Sequence, residues 1–380
     1  MKLVFDAHWW VEGPTANRHV LREMVHAWAR RFPDDELVLV TRVDQAPDVE
    51  TLPSGPVAVV PVRWRPHAIA AHRSGGIADR LRADAVLTQN FATRTQRAVS
   101  ATYLHDVLFM TNPEWFSALE RAYFSRMIAW VPRADVVFAS TNCEASRIRR
   151  SSPARHVVPV GLGLSRELLH GDVDPDPSLV AGGFVLTVGR LNVRKNLEQT
   201  IRSALASGVV SPVHPLVVVG SRGGIRDELS AVLEDVGAGS IRFTGHVSEA
   251  RLRWLYRTCS AFVCLSRGEG YGMPPVEAAA FGRPVVVSDI PVFHETLGTI
   301  PVGFAELDDV GSAARMIAMA VERGWTGTRE GTSAVAPRVQ VGEDWDNVVE
   351  RMRDELQSVR SQASVRDSGP DRLRSHREPL

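Results

Sequence analysis

One segment, residues 261–288, strongly limits what this chain can fold into, because it holds a strand, a glycine-rich turn and a helix in immediate succession. The run 261–265 is apolar and typical of a buried strand. Three glycines at alternate positions then predict a turn, and two adjacent prolines suit the first turn of a helix. A glycine and a proline end that helix before a second apolar run, 285–288. Strand, helix and strand in this order predict a parallel sheet covered by helices.

Two carboxylates flank the glycine turn: Glu269 lies on the turn, and Glu277 lies in the first turn of the predicted helix. Backbone N–H groups of a glycine turn that runs into a helix carry partial positive charge, so they can bind a phosphate. The carboxylates can accept hydrogen bonds from sugar hydroxyls on either side of it. The pattern therefore suggests a sugar-nucleotide site. A glutamate in a first helical turn is also favoured by the helix dipole alone, by ~0.3–1 kcal/mol.

Bulk properties exclude several classes of function. The 380 residues suffice for two domains, and the 44 basic residues balance the 44 acidic ones, so no nucleic-acid partner is expected. No apolar run is long enough to span a bilayer and no signal peptide is evident, which predicts a cytoplasmic chain. Three cysteines without a Cys-x-x-Cys pattern argue against disulfides and zinc. Only Lys2 and Lys195 are lysines.

Apolar runs alternate with helical patterns along most of the chain. Strands are predicted at 3–5, 37–41, 57–61, 85–88, 101–104, 136–139, 184–188, 216–219, 241–244, 261–265 and 285–288. The predicted fold class is α/β, with two Rossmann-like, doubly wound domains facing across a cleft. The predicted divisions are an N-terminal domain 1–165, a linker 166–183, a C-terminal domain 184–342, a closing helix 343–357 that returns to the first domain, and a disordered tail 358–380.

Ligands of such sheets bind beyond the carboxyl ends of the strands, which selects further candidates. His105 directly follows one predicted strand, although a histidine in that place is more often structural. Arg190 and Lys195 follow the first strand of the second domain and form a plausible diphosphate clamp, or else a pair of solvated cations. The loop after the first strand contains Gly13.

The segment from Glu269 to residue 286 resembles the signature of retaining GT-B glycosyltransferases of the large family 4 type, E-G-[FY]-G-x-P-x-x-E-A-x-A-x-G-x-P-V-V. This resemblance implies that Glu277 holds the ribose hydroxyls of a nucleotide-sugar donor and that Glu269 holds the transferred sugar. His105 with the following aspartate is similar to the family's His-Asp element, in which the histidine reaches the donor sugar. Glu269, His105, Arg190 and Lys195 are therefore the implied catalytic residues.

Two other motifs extend the resemblance. Residues 189–196 are similar to the diphosphate element G-R-x-x-x-[RKE]-K-[NG], and residues 245–256 to an element whose loop backbone lies against the base. The implied donor-binding residues are Gly189, Arg190, Lys195, Val247, Gly270, Tyr271, Gly272, Met273 and Glu277. The family's first glycine-rich loop corresponds to Gly13, Asn17 and Arg18, an acceptor or phosphate loop that here keeps only one of two glycines.

The resemblance implies transfer of a hexose, with retention, from a GDP-, UDP- or dTDP-linked donor to a hydroxyl of a glycan, lipid-linked or small-molecule acceptor. Mannosyl and rhamnosyl transferases are the most similar in pattern. No metal and no cofactor are expected, since the clamp consists of side chains and backbone dipoles. The alternatives are a sugar-nucleotide epimerase or hydrolase on the same fold, a pyridoxal-phosphate-dependent phosphorylase, and a non-catalytic sugar-nucleotide binding module.

Three remaining patterns have competing interpretations. The aromatic stripe at 115–130 suits either core packing or peripheral membrane contact. The Asp-x-Asp at 172–176 is similar to a metal motif of the other glycosyltransferase fold, but its prolines favour a solvated linker. The glycines at 220–224 do not have the G-x-G-x-x-G spacing, which argues against a nicotinamide cofactor.

Overall fold

The computed structural model describes residues 1–64, 66–190, 192–220, 239–323 and 342–367. The elements of its first half are β1 (Lys2–Asp6), α1 (Thr15–Arg31), β2 (Glu36–Arg42), β3 (Val57–Val62), α2 (His67–Arg80), β4 (Ala85–Gln89), β5 (Val99–Leu104), α3 (Leu108–Thr111), α4 (Ala118–Trp130), β6 (Val136–Ala139), α5 (Asn142–Ser151), β7 (Val157–Pro159) and α6 (Arg166–His170).

The elements of the second half are β8 (Val185–Val188), α7 (Leu197–Ala206), β9 (Leu216–Val219), β10 (Ile241–Gly245), α8 (Glu249–Thr258), β11 (Ala261–Cys264), α9 (Met273–Ala280), β12 (Val285–Ser288), α10 (Pro291–Leu297), β13 (Gly303–Ala305), α11 (Val310–Arg323) and α12 (Trp345–Asp367).

The strands of the described residues form two sheets in which every pairing is parallel. The first sheet has the order β3-β2-β1-β4-β5-β6-β7, and the second has the order β10-β9-β8-β11-β12-β13. We call each sheet with its helices the first and the second domain. Strand order reverses between β1 and β4 and between β8 and β11, which are the places where doubly wound sheets bind ligands. The predicted α/β fold class is confirmed.

Helix α1 shows how the sequence pattern produces the packing. Its apolar residues recur at spacings of three and four, and those of the predicted face are buried: Val20, Leu21, Met24, Val25 and Trp28. The indole Nε1 of Trp28 donates a hydrogen bond to Asp35 over 3.1 Å, which satisfies the one polar atom of that buried ring. This face of α1 packs against the same core as β1 and β2.

Helix α12 packs on α1 and so returns to the first domain. Its buried residues Trp345, Val348 and Met352 lie in the core of that domain. The helix continues ten residues past the predicted end at 357, so the prediction of disorder is wrong for 358–367. The reason is tertiary: Val359 packs against the first core, and Arg360 pairs with Asp84 over 2.6 Å. The rest of the predicted tail, 368–380, lies outside the described residues.

The predicted linker contains helix α6, capped by Ser165, whose hydroxyl accepts a hydrogen bond from the N–H of Leu168 over 3.2 Å. The carboxylates of Asp174 and Asp176 pair with Arg251 at 2.8 and 3.0 Å. No group of three or more potential metal ligands occurs among the described residues. Most of the glycine-rich segment that argued against a nicotinamide cofactor, residues 221–224, lies outside the described part.

The aromatic stripe is divided between two environments. Several of its side chains pack into the first domain: Phe116, Tyr123, Phe124, Met127 and Trp130. Leu119 is 81% exposed, and Trp115 lies in a short turn before α4 rather than on the helix. Within the described part of the chain, no helix has the length and apolar character required to cross a bilayer.

Candidate functional site

Lys195 is positioned by a tight turn at the carboxyl end of β8. Its backbone N–H donates to Oδ1 of Asn192 over 3.1 Å, which closes a single turn of 3₁₀ helix at Val193–Lys195. The next residue, Asn196, has a φ of 51° and so turns the chain into α7. Gly189 has a φ of 155°, and a Cβ there would lie 3.1 Å from Cε of Lys195. The glycine therefore leaves room for the lysine side chain to reach back over the strand end.

Two cations meet Glu269 in this place. The Nζ atom of Lys195 donates to Oε1 of Glu269 over 2.6 Å. Arg194 donates to the other carboxylate oxygen, Oε2, and also to the carbonyl of Gly268 over 3.0 Å. The carbonyl of Arg194 in turn accepts a hydrogen bond from the N–H of Arg267 over 2.9 Å. The turns after β8 and β11, which are neighbours in the sheet, are thus joined by charge and by backbone.

The charge state of Glu269 follows from these partners. The residue is 5% exposed, and burial alone raises the pKa of a carboxyl group. The positive charges of Arg194 and Lys195 outweigh burial and lower the pKa of Glu269 to about 2. Conversely, although burial lowers the pKa of Arg194, the charges of Glu269 and Asp106 raise it overall. Glu269 is therefore ionised at every physiological pH.

Glu277 has the opposite character. It lies in α9, and its Oε2 accepts a hydrogen bond from the hydroxyl of Tyr256 over 2.7 Å. Burial raises the pKa of Glu277 to about 7, and the hydrogen bond from Tyr256 opposes that rise. This carboxyl group titrates near neutral pH, whereas Glu269 does not.

The glycine turn presents unpaired donors. Among the hydrogen bonds of the described residues, none uses the N–H groups of Gly270, Tyr271 or Gly272. Gly272 has a φ of 86° and precedes α9, and a Cβ there would come within 2.5 Å of the ring of Phe293. Met273 then begins the helix. The turn thus has the backbone geometry expected of an anion site at a helix N-terminus.

The first domain lies directly against this turn. The carbonyl of Gly270 accepts hydrogen bonds from the hydroxyls of Ser140 and Thr141, over 2.9 and 3.1 Å. A Cβ on Gly270 would lie 2.6 Å from the carbonyl oxygen of His105, and one on Gly268 would lie 3.0 Å from the Trp115 ring. The structure therefore brings the strand end that carries His105 onto the glycine turn.

His105 is held as a neutral imidazole. Its Nε2 lies 2.7 Å from Oε1 of Gln89, an amide oxygen that only accepts, so Nε2 carries the proton and Nδ1 is left as an acceptor. Burial, with a smaller contribution from His67, lowers the pKa of His105 to about 3.

Arg190, whose part in the diphosphate clamp stays a prediction, lies just after β8. It is exposed and, within the described part of the chain, forms no ion pair with Glu269 or Glu277. The pKa of Glu120 in α4 is lowered by hydrogen bonds with Ser117 and, more weakly, by the charge of Arg190, which therefore lies toward the first domain. The cation that meets Glu269 beside Lys195 is Arg194, which our sequence reasoning missed. A basic residue directly before the lysine of the diphosphate element was the available signal.

The remaining predicted residues have the following surroundings. Gly13 packs on the Trp9 ring, where a Cβ would approach to 2.5 Å. Asn17 and Arg18 are in the first turns of α1 rather than in the loop, and Arg18 donates to the carbonyl of Val11 over 3.0 Å. Val247 lines a cavity of about 360 Å³ between β9, β10 and the linker.

Comparison with known proteins agrees with this architecture. Residues 181–306, which include the turn with Arg194 and Lys195 and the glycine turn, match the family model for glycosyl transferases group 1. This third of the chain is therefore similar to that family. The chain is similar in fold to sucrose-phosphate synthase from Thermosynechococcus elongatus, with a TM-score of 0.66 and 17% identity over 95% of this chain and 100% of that one. The predicted GT-B fold is confirmed.

Two sequence relatives are mannosyltransferases. The chain is 29% identical over 220 residues to O-antigen chain mannosyltransferase B of Escherichia coli, a match that covers 54% of this chain and 56% of that protein. It is 26% identical over 250 residues to GDP-mannose:cellobiosyl-diphosphopolyprenol alpha-mannosyltransferase of Xanthomonas oryzae pv. oryzae, covering 63% and 61%. The match thus spans little more than half the length of these relatives.

Proposed function

We propose that this chain is a retaining glycosyltransferase that moves a hexose, with mannose as the first candidate, from a nucleoside diphosphate sugar to an acceptor hydroxyl. One observation carries the proposal: Lys195 and Arg194 meet Glu269 beside a glycine turn whose N–H groups have no acceptor in the described structure. Cations and N–H groups at the carboxyl ends of two neighbouring strands can bind a diphosphate, and the carboxylate can accept hydrogen bonds from the hydroxyls of the attached sugar.

The chemistry follows from where charge develops. When the bond between the anomeric carbon and the diphosphate oxygen breaks, negative charge grows on the departing oxygen. Lys195, Arg190 and the N–H groups of Gly270 to Gly272 would stabilise it. Preorganised donors of this kind typically supply ~2.7–4 kcal/mol each. No metal ion and no cofactor enter this scheme.

The remaining side chains would hold the substrate. Glu269 would accept hydrogen bonds from the transferred sugar, and Glu277 from the ribose. His105, with Nδ1 as an acceptor, would bind the sugar from the first domain. The departing phosphate oxygen would take the acceptor's proton on the same face of the sugar, so the anomeric configuration is retained without a protein base.

The names of two relatives indicate which donors and acceptors to test first. One is named for GDP-mannose and a diphosphopolyprenol acceptor, and another for O-antigen chains. We therefore rank GDP-mannose first among donors, before UDP- and dTDP-sugars, and lipid-linked glycans first among acceptors, before other glycans and small molecules.

The test is donor turnover with candidate acceptors. Nucleoside diphosphate release is measured for GDP-mannose, UDP-glucose and dTDP-rhamnose, with and without a lipid-linked glycan. The variants Lys195→Met and Glu269→Gln should slow turnover roughly a hundredfold or more. Arg202→Gln, which removes an exposed cation paired with Glu198, is the matched control and should be active.

Other outcomes identify the alternatives. Turnover that does not depend on any acceptor indicates a hydrolase or epimerase. Donor binding without turnover under all conditions indicates a binding module. An unimpaired Glu269→Gln variant contradicts the assignment of the site, and a product of inverted anomeric configuration, detected by NMR, contradicts retention.

A further inference from the structure

Three arginines from separate segments of the first domain converge around His72 in α2. Arg73 follows His72 in that helix, and Nη1 of Arg133 lies 3.2 Å from Nδ1 of His72. The hydroxyl of Thr93 donates to the carbonyl of His72 over 2.7 Å, which brings the next residue, Arg94, against the same helix. We call Arg73, Arg94 and Arg133 the arginine cluster.

Two tryptophans lie under the arginine cluster. The Cζ atom of Arg73 is 5.0 Å from the ring centroid of Trp64, and that of Arg133 is 4.3 Å from the ring centroid of Trp130. Both indoles are half-buried, whereas Arg73 and Arg94 are exposed. The surface is therefore an open one, with cations above amphipathic rings.

The positive charge of the cluster is not neutralised. In the described part of the chain, no carboxylate lies within 4.0 Å of any of its guanidinium groups. By contrast, Arg30, Arg31 and Arg353, where α1 and α12 meet, each pair with a carboxylate. Burial and then the charge of Arg94 lower the pKa of Arg133. Burial and then the charges of Arg133 and Arg73 lower the pKa of His72. The groups repel each other, so an anionic partner would stabilise this surface.

We propose that the arginine cluster, with Trp64 and Trp130, docks the first domain onto an anionic phospholipid surface. Guanidinium groups bind phosphate oxygens in a bidentate manner, and indole rings favour the interface between water and lipid. Three exposed or half-exposed cations spread over separate segments fit an extended charged surface better than one small anion. This inference goes beyond the proposed function and stands without it.

The experiment is sedimentation of the full chain with vesicles, without donor or acceptor, so the readout is independent of transfer. Vesicles of phosphatidylcholine alone are compared with vesicles that also contain phosphatidylglycerol. The variant Arg73→Gln/Arg94→Gln is compared with Arg257→Gln/Arg315→Gln, two exposed arginines of the second domain. Each arginine near an anionic bilayer contributes about 1 kcal/mol, so the cluster variant should lose about 25-fold in partitioning and the control variant much less.

Several results would overturn the proposal. They are equal partitioning onto both kinds of vesicle, equal losses in the two variants, and competition by millimolar inorganic phosphate, which would indicate a site for a free anion. Binding to an RNA homopolymer in place of vesicles would indicate a different partner. The variant Arg73→Lys/Arg94→Lys keeps the charge and should partition nearly as well as the parent chain, which separates loss of charge from loss of folding.

Discussion

Replacing Arg194 with glutamine should change the charge state of Glu269. In the structure Arg194 contacts Oε2 of this glutamate, which is 5% exposed and has a pKa of about 2. Opposite charges about 4 Å apart at an effective dielectric constant of about 20 interact with about 4 kcal/mol, and one pKa unit corresponds to about 1.4 kcal/mol. Removing the arginine should therefore raise the pKa of Glu269 by about 3 units, to about 5.

The effect on stability has a defined sign. The pKa of Glu269 falls from an ordinary value of 4.5 to about 2 on folding, a difference of 2.5 units. This ionised group therefore stabilises the folded state above about pH 4.5, by about 3 kcal/mol, and the contribution disappears as the pH falls toward 2. In Arg194→Gln the folded and unfolded pKa values nearly coincide, so most of this contribution should be absent at neutral pH.

Two measurements check this reasoning: the pH profile of donor turnover and the pH dependence of urea unfolding. Turnover by the parent chain should show no acid limb from Glu269 above about pH 4, whereas Arg194→Gln should lose activity below about pH 5 to 6. Arg267→Gln is the control, since Arg267 lies on the same turn but pairs with Asp308 over 3.0 Å. If Arg194→Gln is slower than the parent but has an unshifted acid limb, Arg194 does not set the charge of Glu269.

Three further predictions concern the same region. Gly270→Ala should destabilise the chain by about 1–3 kcal/mol in urea unfolding, because its Cβ would lie 2.6 Å from a first-domain carbonyl oxygen. The control is Gly76→Ala, whose Cβ would have its nearest neighbour at 3.9 Å and which should stabilise the chain by up to about 1 kcal/mol. Equal stability of the two variants would contradict the contact at Gly270. Tyr256→Phe removes a hydrogen bond to Glu277, so it should raise the pKa of Glu277 above about 7 and weaken nucleoside diphosphate binding about tenfold, the equivalent of ~1.5 kcal/mol. Affinities measured by calorimetry that equal those of the parent chain from acid to alkaline pH would refute this. Glu295→Gln should raise KM for the donor two- to fivefold, or ~0.3–1 kcal/mol, by weakening the cap that this second-domain carboxylate forms on α5; an unchanged KM would exclude that role.

Local patterns explain how far the sequence predicted the fold. The eleven predicted strands are present, because parallel strands buried on both faces are nearly continuous apolar runs. Strands β7 and β13 were missed, since each has only three residues and lies at a sheet edge. The glycine turn and the start of α9 were also predicted, because proline and glycine act on the backbone within one or two residues.

Prediction of the site required information that the spacing of residues in the sequence does not contain. Whether Arg190 or Arg194 meets Glu269 is decided by the 3₁₀ turn at Val193–Lys195, which fixes the direction of the side chains around it. The hydroxyls on the Gly270 carbonyl come from residues about 130 positions earlier in the chain. The end of α12 could not be predicted from local sequence either, because contacts with the first domain hold its last turns.

The peptide unit between Gly270 and Tyr271 connects domain contact with the proposed chemistry. Its carbonyl accepts two hydrogen bonds from first-domain hydroxyls, and its N–H, on Tyr271, is among the donors without an acceptor. Hydrogen bonds on one end of a peptide group polarise the other end and strengthen it as a donor. The N–H group is therefore a better anion ligand when the two domains touch than when they separate. Contact between the domains brings His105 to the glycine turn. Under the proposed function it would also strengthen a donor for the departing diphosphate, so closure of the domains would take part in catalysis.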